Sequence, residues 1–263
     1  MRILLAHNRY QQEGGEDQSF AAEAAMLRDR GHEVIEYTTH NRAIDGMNHV
    51  ALALRTVWNA TTYAELRRLF RRHRPQIAHF NNTFPLISPS AYYAARAEGV
   101  PVVQTLRNFR LLCPNALLFR NGKICHECVS TTTAWPAVVH KCYRGSRAAS
   151  AVVAAMLTTH RTCGTWHTSV DTYIALTQFS RQTFVDAGFP ADRIIVKPNF
   201  VYPDPGPGTG CSTTRRESRT WGQGSTGQRG PYRAAREQAR YGRQQDRTAM
   251  AGVSRAGHSG FSD

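Results

Sequence analysis

The chain has 263 residues, 41% of them hydrophobic, and a formal net charge of +14. That length suits one large domain or two small ones, with a buried core over part of the chain. A basic balance of this size points to nucleic acid or an anionic surface when it is evenly spread, but residues 209–263 carry ten Arg, no Lys and four acids, or +6, which leaves +8 on residues 1–208.

The opening run of residues 1–8 has too short an apolar core for a secretory signal. The longest apolar helix candidate, around residues 148–157, falls far below the roughly 20 residues that cross a bilayer. A cytoplasmic protein is expected, in which six Cys read as thiols or metal ligands rather than a disulfide framework.

In chain order, residues 2–7 predict a buried strand, followed by a loop that carries Gly14 and Gly15. A helical pattern over 18–32 is closed by Gly31 in the manner of a C-terminal cap. Residues 33–39 predict a strand, 49–73 one or two helices, 76–80 a third strand, and 88–99 a helix that opens with Ser-Pro. A fourth strand over 100–106 leads into a Cys-bearing insert, 107–145. Then come a helix over 146–162, a strand over 172–177, a helix over 180–189 and a strand over 193–199. This alternation predicts an α/β fold: a Rossmann-like parallel sheet with helices on both faces, in a domain spanning residues 1–205. Residues 206–263 predict a disordered Arg/Gly/Ser/Gln-rich tail. From 209 on there is no Leu and no Ile, while nine of the 20 Gly fall there, so too little apolar surface exists to offset ordering entropy.

Open parallel sheets bind ligands at the carboxyl ends of their strands, and four segments occupy such positions. Gly14 and Gly15 precede a helix, where free N–H groups suit an anion or a sugar; a plain flexible turn explains them equally well. His79, Asn81, Asn82 and Thr83 crowd polar groups after a strand, although Asn82 also suits a turn cap. Arg107, Asn108 and Arg110 follow the fourth strand, where Arg suits phosphate or carboxylate or simply solvent. Lys197, Pro198 and Asn199 form a turn after the last strand.

Cys113, Cys125, Cys128 and Cys142 give Cys-x11-Cys-x2-Cys-x13-Cys, with His126 and His140 close by. A central Cys-x-x-Cys with two outlying Cys fits a structural zinc site; free thiols or redox pairs are the other reading. The basic run over 65–74 reads as a solvated face or, with Lys141, Arg144 and Arg147, as a peripheral contact to an anionic membrane face.

The order of these features resembles the N-terminal domain of family 4 glycosyltransferases, retaining enzymes of the GT-B fold. Three stretches carry it: "RILLAHNRY…EGGEDQ", "AHFNNTFPLISPSAYYAARAEGVPVVQTLRNFRLLCPN" and "YIALTQFSRQTFVDAGFPADRIIVKPNF". The resemblance covers residues 1–205. It implies two Rossmann-like domains across a cleft, the first holding the acceptor and the second a nucleotide-sugar donor. It implies donor contacts at Gly14, Gly15 and Asn199, and acceptor contacts at His79, Asn81, Asn82, Thr83, Arg107, Asn108 and Arg110. It implies no catalytic metal, because cationic side chains and helix ends stabilise the leaving diphosphate. Asn81 and Arg107 stand where relatives often carry His, so no catalytic residue is assigned. The family's Glu-x7-Glu pair does not occur after residue 205, where Glu217 and Glu237 are the only glutamates.

Two functions follow from this reading. One is transfer of a sugar from a nucleotide-sugar donor to a saccharide or lipid-linked acceptor in polysaccharide biosynthesis, with this chain inactive alone for want of a donor domain. The other is a non-catalytic module that binds an acceptor glycan or an anionic polymer through its basic surface. No sequence-specific nucleic-acid binding is expected. The text after residue 208 also reads like a GC-rich gene translated out of frame.

Overall fold

The computed structural model describes residues 1–204 and 206, apart from Glu13 and Ser130. The tail expected to be disordered lies outside the described residues. Strand β1 (Arg2–Arg9) leads to helix α1 (Gly15–Asp29), β2 (Glu33–His40), α2 (His49–Val57), α3 (Ala60–His73), β3 (Ile77–Asn82), α4 (Ser90–Ala97) and β4 (Val102–Leu106). The insert holds a small antiparallel pair, β5 (Phe119–Arg120) and β6 (Lys123–Ile124), and the short α5 (Pro136–Val139). Helices α6 (Arg147–Thr162) and α7 (Thr165–Thr168), strand β7 (Thr172–Ala175), helix α8 (Gln178–Asp186) and strand β8 (Ile194–Val196) complete the domain. Among the described residues, no helix is long and apolar enough to cross a membrane.

The six-stranded sheet has the order β2-β1-β3-β4-β7-β8, and every pairing in it is parallel. This is the expected Rossmann-like α/β fold. Alternation along β1 sends Leu4 and Ala6 into the larger core with Phe80, Tyr92 and Tyr173. Ile3 and Leu5 go to the opposite face, against Phe20 and Ala24 of α1. Both faces are therefore covered, as all-parallel sheets require.

The element boundaries depart from expectation in instructive places. Helix α1 starts at Gly15, three residues early, because the Asp17 carboxylate accepts the Gly14 N–H at 2.9 Å and closes the first turn. It ends as expected: Gly31, at φ +77°, takes the left-handed conformation just past the helix. The apolar pattern over 49–73 divides into α2 and α3 at Trp58-Asn59. There the Asn59 side chain accepts the N–H groups of Thr61 and Thr62 and donates to the Leu86 carbonyl. Strand β3 runs on through Asn82, so His79, Asn81 and Asn82 are strand residues and only Thr83 belongs to the loop. Asn82 Nδ2 donates to the Asn8 carbonyl across the sheet at 3.0 Å. With its polar atoms paired, the amide is tolerated in a buried strand.

The sheet order sets where a ligand can sit. The chain crosses from β1 to β2 on one side and returns to β3 on the other, so the topological switch lies between the carboxyl ends of β1 and β3. The pairing of those two ends shifts register between Ala6 and His7.

Candidate functional site

Beyond the carboxyl ends of the strands opens a cleft of about 660 Å3, lined by Gly15, Glu16, Ser19, Arg107, Asn199 and Tyr202 among others. A smaller adjoining recess is walled by Thr105, Arg107, Lys197 and Asn199. Neither Gly14 nor Gly15 has a backbone that demands glycine. A Cβ on Gly15 would meet nothing within 4 Å, and one on Gly14 only Asp17 Oδ2 at 4.0 Å. Packing does not explain the pair: Gly15 leaves bare backbone on the cleft at the amino end of α1, while Gly14 lies outside the lining with its N–H held by Asp17.

Asp17 is the hinge of this end. Besides holding Gly14, its carboxylate accepts from His7 Nε2 at 3.1 Å, and His7 stacks on Phe20 at 4.9 Å. Burial pulls the His7 pKa below its ordinary value of 6.5, against the pull of Asp17. His7 is therefore a neutral donor that fixes Asp17. Glu16 faces the cleft and accepts from Tyr10 at 3.0 Å and Asn108 at 3.2 Å.

Beneath the cleft floor lies Glu23, with a side chain only 7% exposed. Its carboxylate meets Lys197 Nζ at 3.1 Å, Asn81 Nδ2 at 3.2 Å, His79 Nδ1 at 3.7 Å and Arg107 at 4.0 Å. Burial alone would raise the Glu23 pKa, but the Lys197 charge and the hydrogen bonds from Lys197 and Asn81 hold the carboxyl below its usual range. Burial lowers the pKa of His79 against the pull of Glu23, with Lys197 and Arg107 adding to the fall. Since His79 is thereby neutral near pH 7, Lys197 and Arg107 carry the charge compensation. Arg107 in turn donates from Nε and Nη2 to Asn81 Oδ1 at 3.0 and 2.6 Å, and from Nη1 to Asn199 Oδ1 at 2.7 Å.

The residues singled out from sequence separate into three groups. Gly15, Arg107 and Asn199 line the cleft, with Asn81 one hydrogen bond below and Asn108 bonded to Glu16. His79, Asn82 and Thr83 lie off the cleft lining: His79 bonds Thr105 at 2.7 Å, Asn82 bonds Asn8 and Phe84, and Thr83 approaches Tyr92. Arg110 is half-buried and braces the insert, stacked on Phe84 and Tyr143 at 4.4 and 5.1 Å and donating to the Pro114 carbonyl. The basic run on α3 is partly consumed by the fold, since Arg67 and Arg71 both pair with Glu98, at 2.6 and 2.9 Å.

Sequence reasoning missed Glu23, Asp17 and Glu16. Glu23 had a signal: with Phe20, Ala24 and Leu27 it falls on one helical stripe, a charge on an apolar face. Such a residue needs a partner.

Cys113, Cys125, Cys128 and Cys142 line one small cavity in the insert. Among the described residues, no three His, Cys, Asp or Glu side chains stand in metal-ligating arrangement.

The family model for Glycosyltransferase Family 4 matches residues 14–204. A search of curated proteins gives no match. Solved structures similar to this chain include Staphylococcus aureus MnaA with UDP, at 10% identity over 75% of this chain and 44% of that one, with a TM-score of 0.43. Anabaena HepE with UDP matches at 15% identity over 76% and 44%, TM-score 0.40. Acinetobacter baumannii MurG matches at 12% identity over 78% and 46%, TM-score 0.39. The chain thus spans less than half the length of these structures. The family match covers most of the chain and the whole cleft-lining set: the chain belongs to glycosyltransferase family 4.

Proposed function

We propose that this domain takes part in the transfer of a sugar from a nucleotide-sugar donor to a saccharide or lipid-linked acceptor, with retention at the anomeric carbon. The observation that carries this is the cleft at the amino end of α1, with Arg107 on its wall, in a chain of this family. In such a transfer the bond between the anomeric carbon and the diphosphate oxygen breaks, and negative charge develops on the leaving diphosphate. The bare N–H at Gly15, the positive end of α1 and the Arg107 guanidinium suit that charge. Glu16 on the same cleft disfavours an anion beside it and suits sugar hydroxyls, which donate to a carboxylate. The phosphate is therefore placed on the Arg107 side and the sugar toward Glu16. Asn199, bonded to Arg107, holds the guanidinium in line.

The test pairs binding with turnover. Nucleoside diphosphates and nucleotide sugars are titrated by calorimetry against the full chain and against Arg107→Gln, with a parallel assay for sugar transfer to saccharide acceptors. Binding weakened roughly tenfold or more by the substitution supports the site, since a charged hydrogen-bonding contact is worth about 1.5–3 kcal/mol. Binding that is indifferent to Arg107 sinks this placement. Acceptor binding with no affinity for any nucleotide would instead assign a glycan-binding module.

A further inference from the structure

We propose that Cys113, Cys125, Cys128 and Cys142 together bind one structural zinc ion that staples the insert following β4. The first observation is convergence. These four cysteines come from three separate arms of the insert, yet all of them line one cavity of about 10 Å3. That is room for a single water-sized or ion-sized body. By contrast Cys163, outside the insert, is exposed and lies away from the cavity.

The second observation is that the arms are fixed at the backbone. The Cys113 N–H donates to the Phe109 carbonyl at 2.8 Å, that of Cys125 to Leu118 at 2.9 Å, and that of Cys142 to Ala137 at 3.0 Å. The turn after Cys125 closes through Val129 N–H to the His126 carbonyl at 2.9 Å. One guanidinium then ties two arms together. Arg161 of α6 donates to the carbonyls of Leu111 and Leu112 beside Cys113, and to those of Cys128 and Thr131 in the second arm. As they stand among the described residues the side chains form no ligating group, so binding requires the cysteines to turn about χ1 toward the shared cavity. The contacts such a rotation gives up are weak thiol ones, from Cys113 Sγ to Asn115 Oδ1 at 3.0 Å and from Cys128 Sγ to the Ala134 carbonyl at 3.9 Å.

Third, the insert has little regular structure among its described residues. Its regular structure amounts to two two-residue strands and a four-residue helix. Five of its non-glycine residues, Ala116, Leu118, Asn121, Lys141 and Arg144, adopt positive φ, which disfavours the folded loop unless something over-determines it. A four-thiolate site supplies that constraint, as structural zinc does in small domains. Binding sends four thiol protons to solvent and leaves a net charge of −2 at the site. Arg161 bonds the Cys128 carbonyl, and Arg120, whose Nη1 is buried with no partner among the described residues, lines the cavity. All four ligand positions are then protein sulfurs, so the ion is structural and takes no part in transfer. Its effect reaches the cleft through sequence: Arg107 and Asn108 lie immediately ahead of the first arm.

The test uses the full chain purified without added metal, measured for zinc by elemental mass spectrometry and for reactive thiols before and after chelation. About one zinc per chain is expected, with four more thiols becoming reactive on chelation than in the untreated protein. Substituting cobalt(II) should give the intense visible bands of a tetrahedral thiolate site. Cys163→Ser should leave all three readouts unchanged, and Cys125→Ser/Cys128→Ser should abolish them. If that variant fails to fold, the cobalt titration of the unsubstituted chain still decides. Zinc near zero with no cobalt bands overturns the proposal, whether the thiols are found free or joined in disulfides.

Discussion

Lys197 Nζ stands 3.1 Å from Glu23 Oε1, joining the turn after the last strand to the middle of the first helix across 174 residues of sequence. The carboxylate is buried, while the Lys197 side chain is 40% exposed. The two partners therefore contribute unequally, because water screens the lysine but not the acid.

Glu23→Gln is expected to destabilise the domain by about 1–3 kcal/mol, because a buried site built around an anion loses its charge while Arg107 stays in place. Lys197→Met should cost under about 1 kcal/mol, as befits a partly solvated partner. Urea unfolding of both variants checks the ordering. Equal losses would show that Glu23 depends on Lys197 alone and that His79, Asn81 and Arg107 do not support it.

Asp17→Ala removes the acceptor for both the Gly14 N–H and His7 Nε2. A loss of about 1–2 kcal/mol is expected. Amide exchange should quicken over the first turn of α1 before it does elsewhere. Uniform exchange along the helix would mean that Asp17 does not anchor its start.

Acid should destabilise this domain well before its carboxylates titrate. His7, His79 and His160 all have pKa values lowered from 6.5, with burial the largest cause in each. The unfolded chain therefore binds more protons than the folded one as pH falls through about 6.5, and stability declines there. Glu23 adds its own loss at lower pH, as pH falls through its depressed folded value. A melting temperature that drops between pH 7.5 and 5.5 is expected; one that holds or rises across that window refutes the assignment of neutral buried imidazoles.

Arg161→Leu keeps bulk but leaves four insert carbonyls without their donor. A cost of about 2–4 kcal/mol is expected, the upper range for hydrogen bonds to a charged group left unmade. Limited proteolysis should cut first within the insert. Cleavage that starts elsewhere would place the Arg161 effect outside the insert.

Much of the fold was legible because the sheet is buried on both faces, so its strands read as apolar runs and its helices as amphipathic stripes between them. The polar end of β3 was not legible. Asn81 and Asn82 look like loop residues until Glu23, Arg107 and Asn8 are seen to satisfy them. The basic run on α3 read as a free surface, yet Glu98, some 30 residues later, claims two of its arginines.

By itself the sequence determined the succession of strands and helices, the family and the spacing of the four cysteines, because each depends on residue types and local periodicity. Only the tertiary structure decided which of the polar residues meet. Lining up β1, β3, β4, β7 and β8 in that order, with α1 packed on the sheet, brings Glu23, Asn81, Arg107 and Lys197 together. The strand order sets that meeting, because a charge buried between a helix and a closely packed sheet is tolerable only where long-range pairing supplies its partner.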